Sequence, residues 1–339
     1  MQYSLRALGQ RAAKASWVRP RGSSVISVIS TVLVWLSGCG SRAQLLGTIQ
    51  AQTDGAFPAT DATDATDAAA SSRPQFSAPQ IVAAVSDPMA WDSDPTFTGD
   101  LRELYFMSDR SGSPDIWVSR RASASDPWGS PTIVSVLNSP ASESGPAVSL
   151  DGLNIWFATE REAGSRHIWK SSRASTLDAW APPMVVSELA STAKDSGPAV
   201  DALETTMFFG SNRAGSTALH IYFTTRANTY APWGAVKQVP GVNSNAFEDW
   251  DPFLAAGAGA GAEGGGLVIL FASTRQGAGD IFWSQRQSTA EPFPTPVPMV
   301  ELNSAAPDTD PNLSPDMTYI MFDSQRAGNF DIYEAHLIR

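Results

Sequence analysis

One cysteine, Cys39, stands in a chain of 339 residues. No disulfide can form within such a chain, so a packed core has to hold the fold even in an oxidising compartment. Basic residues are in deficit: Lys and Arg number 23 against 34 Asp and Glu, a formal charge of −11. Without a basic stripe there are no counterions to release from a phosphate backbone, which argues against nucleic acid as a partner. Membrane-spanning length is also missing, because the apolar run from Val25 to Leu36 is too short to cross a bilayer as a stable helix. What is present, 42% hydrophobic residues over this length, suffices for a sizeable globular core.

Residues 1–38 have the order that secretion demands. Arg6, Arg11, Lys14, Arg19 and Arg21 form a basic start without acids, and the apolar run follows and ends in Leu36-Ser37-Gly38-Cys39. The junction resembles a bacterial lipobox, in which small residues fit the signal peptidase and the thiol becomes the lipid attachment point. Cys39 is therefore the expected site of acylation, and two or more acyl chains would give firm membrane attachment. Removal of the five cations takes the formal charge from −11 to −16. Residues 39–75 then turn to Ala, Ser, Thr, Gly and Asp, with a Thr-Asp-Ala tandem at Thr60–Asp67, a composition that cannot bury a core and reads as a tether.

From residue 76 to 339 the chain is repetitive. A Ser-x-Arg-x-Gly phrase, relaxed in places, recurs around Arg110, Arg161, Arg213, Arg275 and Arg326, at intervals of 51, 52, 62 and 51 residues. A period near fifty means one supersecondary unit used five times. Each unit reads as four short strands: one opening at Asp94-Pro95, Gly145-Pro146, Gly197-Pro198, Asp251-Pro252 or Asp310-Pro311; a fully apolar one such as Leu104-Tyr105-Phe106-Met107; an Ile-aromatic one such as Ile116-Trp117; and an outer one such as Ile133–Leu137. The long interval is explained by an insertion, Ala255 to Gly266. The last unit lacks its fourth strand, and Phe76-Ser77-Ala78-Pro79-Gln80-Ile81-Val82 matches Trp128-Gly129-Ser130-Pro131-Thr132-Ile133-Val134 position by position. The prediction is an all-β, five-bladed propeller of four-stranded antiparallel blades, closed by the N-terminal strand completing the last blade.

The phrase of an acidic residue, x, Gly or Asp, Pro, an apolar strand, Ser-x-Arg-x-Gly and Asp-Ile-aromatic is similar to the propeller repeats of the TolB family of bacterial envelope proteins. The resemblance covers residues 76–339, with five repeats where that family typically has six and without its N-terminal α/β domain. It implies architecture and an envelope location rather than an activity.

The repeated arginines are expected to be structural, each forking onto a carboxylate and loop carbonyls of its own blade. A candidate partner-binding rim shares their face: Trp91, Asp92, Asp94, Glu143, Asp195, Glu248, Asp249, Trp250, Asp251, Asp308 and Asp310. Trp91 and Trp250 have no counterparts in other repeats and suit sugar or peptide recognition, whereas Trp128, Trp180 and Trp233 recur and read as packing. Asp308-x-Asp310-x-Asn312 begins like a calcium loop, but Leu313 and Tyr319 stand where that loop needs Gly and Glu. Gly259–Gly264 fits the dinucleotide fingerprint but leads into a strand, not a helix. His167 and His220 replace an Asp of other repeats, and His336 lies in the final strand; none reads as a ligand or base. No catalytic residue, cofactor or metal is expected. The favoured expectation is a lipid-anchored envelope protein, placed at the outer membrane, whose monomeric head binds a protein or glycan. A glycan-active enzyme is the alternative, to be recognised by non-repeated carboxylates facing each other across the funnel.

Overall fold

The second strand of every repeat has a central apolar run, such as Leu104–Met107, because both of its faces are covered by neighbouring blades. A computed structural model describes residues 73–338 except 163–164, 214 and 256–266. The expected signal sequence, Cys39 and most of the expected tether lie outside the described residues, as do residues 256–266 of the insertion.

Strand β1 (Gln80–Ile81) comes first in the chain. Blade 1 comprises β2 (Asp92–Phe97), β3 (Glu103–Ser108), β4 (Asp115–Arg120) and β5 (Thr132–Ile133). Blade 2 comprises β6 (Glu143–Val148), β7 (Asn154–Thr159), β8 (His167–Ser172) and β9 (Met184–Val185). Blade 3 comprises β10 (Asp195–Val200), β11 (Thr206–Ser211), β12 (His220–Thr225) and β13 (Lys237–Gln238). Blade 4 comprises β14 (Asp249–Ala255), β15 (Val268–Ser273), β16 (Asp280–Gln285) and β17 (Val297–Pro298). Blade 5 comprises β18 (Asp308–Leu313), β19 (Tyr319–Ser324) and β20 (Asp331–His336), with β1 as its outer strand. Each blade is a four-stranded antiparallel sheet, so the chain is a five-bladed propeller closed by its N-terminal strand.

Closure is physical as well as topological. Gln80 pairs with Glu334 and Ile81 with Tyr333, Phe76 bridges Leu337, and Phe76 is buried between blades 4 and 5 with Leu270, Trp283 and Phe322. The core is five such wedges, one per junction; that between blades 2 and 3 holds Trp156, Ile168, Met207, Phe209 and Trp233. The outer strands are shorter than the sequence suggests. In blade 1 pairing stops at Ile133, because Val134 makes one last bond to the Ile116 carbonyl and the chain then turns so that Leu137 closes on the Val134 carbonyl. Among the described residues no helix is long and apolar enough to cross a membrane.

A second set of arginines, on the face opposite the repeated phrase, escaped the sequence reading. Arg121, Arg173, Arg226 and Arg286 lie over the rings of Trp128, Trp180, Trp233 and Phe293 at 3.9, 4.4, 4.2 and 4.3 Å. The recurring tryptophans therefore pack under cations as well as between blades. In the closing blade Leu337 and Phe76 occupy the corresponding places and meet as an apolar pair.

Candidate functional site

Each innermost strand carries a bulge immediately before and at its proline, since proline has no N–H to give to a ladder. The register shifts between Ser93 and Thr96, Ser144 and Ala147, Ser196 and Ala199, Trp250 and Phe253, and Thr309 and Asn312. The residue before the proline is left-handed in all five blades: Asp94 (φ 55°), Gly145 (57°), Gly197 (50°), Asp251 (46°) and Asp310 (51°). This conformation favours glycine and, among other residues, Asn and Asp. Two blades use glycine; three place a carboxylate there.

All five residues line a central cavity of about 60 Å³. One carboxylate oxygen from each of Asp94, Asp251 and Asp310 lies within 4.8 Å of the others. The glycine blades make room for this convergence. A Cβ on Gly197 would meet Asp251 Oδ1 at 2.6 Å, while the Gly145 N–H donates to Asp94 Oδ2 at 2.9 Å. A fourth acid, Asp323 of β19, is 1% exposed, accepts from Thr309 Oγ1 at 2.5 Å and stands behind Asp310. Its counterparts are Met107, Ala158, Gly210 and Ala272, so blade 5 alone has an acid here.

Burial and the repulsion of neighbouring carboxylates make Asp251, Asp310 and Asp323 reluctant to ionise. Burial, then the charge of Asp94, pushes Asp251 well above the carboxylate range. Burial, then the charges of Asp251 and Asp94, does the same to Asp310. Asp323 is pushed up to about 7, chiefly by burial and against the Thr309 hydrogen bond. Folded values above the unfolded value of about 3.9 contribute stability that is present at low pH and lost as pH rises through the folded value. With a chelator present, the melting temperature is therefore expected to fall between about pH 4 and 7, on the order of 5 °C, and Asp323→Asn to flatten that slope. A flat or rising profile, or an unchanged slope in the variant, would show that the acids are not coupled to folding.

Where no metal is expected from sequence, Asp94, Asp251 and Asp310 form a set of hard oxygen donors that could hold one divalent cation, at a spacing compatible with oxygen ligands at about 2.3–2.6 Å. Asp310 takes part through the axis of the ring and not through a calcium loop; Asp308, two residues earlier, is turned away into an ion pair.

The remaining rim residues divide sharply. Asp92, Glu143, Asp195, Asp249 and Asp308 are all 0% exposed, so they form no open rim. They pair with Arg110, Arg161, Arg213, Arg275 and Arg326 at 2.5, 3.0, 2.8, 2.8 and 2.5 Å. Each guanidinium also bonds a loop carbonyl, those of Val85, Leu137, Leu189, Val242 and Leu302. Trp91 is 52% exposed, its backbone N–H donating to Asp109 Oδ1 at 2.8 Å and its ring edge-on to Phe330 at 6.0 Å. Glu248 is exposed and Trp250 half-buried, with the indole of Trp250 lying over Gly279. His167 and His220 begin β8 and β12, and His336 ends β20.

The structure adds Arg166, a non-repeated cation whose counterparts are Pro114, Leu219, Gly279 and Phe330. Its side chain is 26% exposed, lies 3.7 Å from Glu160, and its charge acts on Asp251. The signal in the sequence was the break in pattern just before the Ile-aromatic strand.

No family model matches the chain, and no curated protein is significantly similar to it. Solved structures share its architecture. An α-L-arabinofuranosidase from Podospora anserina in complex with cellotriose is similar at 9% identity and a TM-score of 0.53, over 78% of this chain and 97% of that one. A thermostable family-43 glycoside hydrolase is similar at 9% identity and 0.50, over 75% and 91%. TolB from Acinetobacter baumannii is similar at 14% identity and 0.45, over 72% of this chain and 53% of that one, so the chain spans about half of its length. Identities this low show the fold alone.

Proposed function

We propose that residues 76–339 are the binding head of an envelope lipoprotein, recognising a protein or glycan partner at the funnel mouth without catalysis. The observation that carries this reading is Trp91, a large indole half open to solvent, its backbone bonded to Asp109 and its ring edge-on to Phe330, and absent from every other repeat. An exposed aromatic with fixed orientation beside acids suits stacking on a sugar ring or a peptide side chain. Trp91→Ala is expected to leave the melting temperature unchanged and to reduce retention of the solubilised protein on its own cell-wall fraction at least tenfold, about 1.4 kcal/mol. Equal retention by the variant would remove Trp91 from the site.

Attachment through Cys39 is the second element of the proposal, resting on the lipobox-like junction and the tether that follows it. Cys39→Ser is expected to move the protein from the membrane to the soluble fraction; unchanged membrane retention, or an unmodified mature N-terminus of the wild type by mass spectrometry, would overturn the attachment.

Glycan hydrolysis is the second reading, favoured by three non-repeated carboxylates meeting on the axis of a fold that glycosidases also use. The size of the cavity opposes it: about 60 Å³ is far below the about 300 Å³ of ordinary ligand pockets. Release of reducing sugar from xylotriose or arabinoxylan, abolished by Asp310→Asn, would establish the enzyme instead.

A further inference from the structure

We propose that the cleft between blades 2 and 3 is a separate ligand site, which takes a small organic monocarboxylate on Lys170. The cleft has a volume of about 400 Å³, and Lys170, Pro182, Met184, Glu188, Arg226 and Trp233 contribute to its lining. That volume is within the usual range for small-molecule sites.

Lys170 is out of place in the repeat. It lies in β8 opposite Met184, at the position held by Val118 in β4, Phe223 in β12, Trp283 in β16 and Glu334 in β20. The first three are apolar residues of the blade junctions. Glu334 has a partner within the chain, the Tyr319 hydroxyl at 2.5 Å. Lys170 has none of that kind: among the described residues its ammonium forms no hydrogen bond or ion pair, and it rests 5.0 Å from the ring centre of Trp156, which is fully buried. Burial holds its pKa below the ordinary lysine value, against the pull of Glu204. Among the described residues Lys170 feels Glu204 at a distance but bonds no acceptor, so its half-buried ammonium keeps its donors for a ligand.

The other cation of the cleft is already engaged. Arg226 donates through Nε to the Glu204 carbonyl at 2.6 Å, pairs with the Glu204 carboxylate at 3.4 Å and stacks on Trp233. Lys170 is therefore the donor left for an anion. Met184, 74% exposed, and Pro182 give the ligand's body an apolar wall. Glu188 on the lining repels a second negative charge, which selects a monocarboxylate over a phosphate or a dicarboxylate.

The full chain has four lysines, Lys14, Lys170, Lys194 and Lys237, so ¹³C-methylation of the amines gives a spectrum in which each can be assigned. Benzoate and D-glucuronate serve as probes, with benzamide and D-glucose as uncharged controls. The Lys170 signal is expected to shift saturably with one or both carboxylates and with neither control, while the Lys194 and Lys237 signals stay in place. Lys170→Met, an apolar residue where other blades are apolar, and Lys170→Gln are each expected to weaken binding at least tenfold at unchanged melting temperature. No saturable shift up to about 10 mM, near the weakest binding worth calling specific, would overturn the proposal. So would parallel shifts of all the lysines, or unchanged affinity in either variant.

Discussion

A chain lacking residues 76–86 is expected to aggregate, or to melt roughly 10–25 °C below the parent. The deletion removes β1 and with it the outer strand of blade 5, leaving β20 as an unpaired edge. It also removes Phe76, Val82 and Val85, which are 2%, 6% and 0% exposed and fill the wedges on both sides of blade 5. At about 1.5–3 kcal/mol for each of the three buried side chains the loss is about 4.5–9 kcal/mol before any ladder bond is counted, against a total stability of about 5–15 kcal/mol for an ordinary domain. Two further links disappear, the Arg110 bond to the Val85 carbonyl at 2.6 Å and the Ile332 N–H bond to Ser86 Oγ at 3.3 Å. Thermal melting and size-exclusion chromatography decide the matter; a truncated chain as stable and monodisperse as the parent would mean that closure contributes nothing.

Arg213→Ala is expected to cost about 3–5 kcal/mol, the usual result of stranding a buried charge. Asp195, its partner, is 0% exposed and depends on few contacts: Oδ1 accepts from Arg213 at 2.8 Å and from Ser211 at 2.7 Å, while Oδ2 has no hydrogen-bond partner. The equivalent second oxygens of Asp92, Glu143, Asp249 and Asp308 each accept a loop N–H, from Asp87, Ser139, Ser244 and Ser304. Blade 3 is thus the one in which the guanidinium matters most. Burial already raises the pKa of Asp195, with Arg213 pulling it down, so removal of Arg213 favours the protonated acid. The stability deficit should therefore narrow as pH falls, and Arg213→Ala with Asp195→Asn should recover part of it. Urea titrations at two pH values test this. A variant that unfolds normally but loses its cell-wall partner would make the arginine ring a binding site instead.

The sequence by itself determined the number of blades, the strand that closes the ring and the common position of the five arginines in their blades. Those features are local: each blade gives Arg213 and its counterparts a serine or threonine hydroxyl, a loop carbonyl and a carboxylate, so the requirement recurs with the chain period and is legible as a repeat. It also placed Asp94, Asp251 and Asp310 in one register with Gly145 and Gly197. What it could not convey is that this register is a bulge turned toward the axis, so that three acids from different blades meet while Asp92 and Asp308, two residues before Asp94 and Asp310, are sealed under arginines. Arg166, Asp323 and Lys170 are likewise single departures from the pattern, and a departure acquires meaning only from what faces it in another strand or blade. Periodic contacts lie within a blade and are written along the chain; the axis and the clefts are made between blades, by ring closure, from residues that sequence spacing does not bring together.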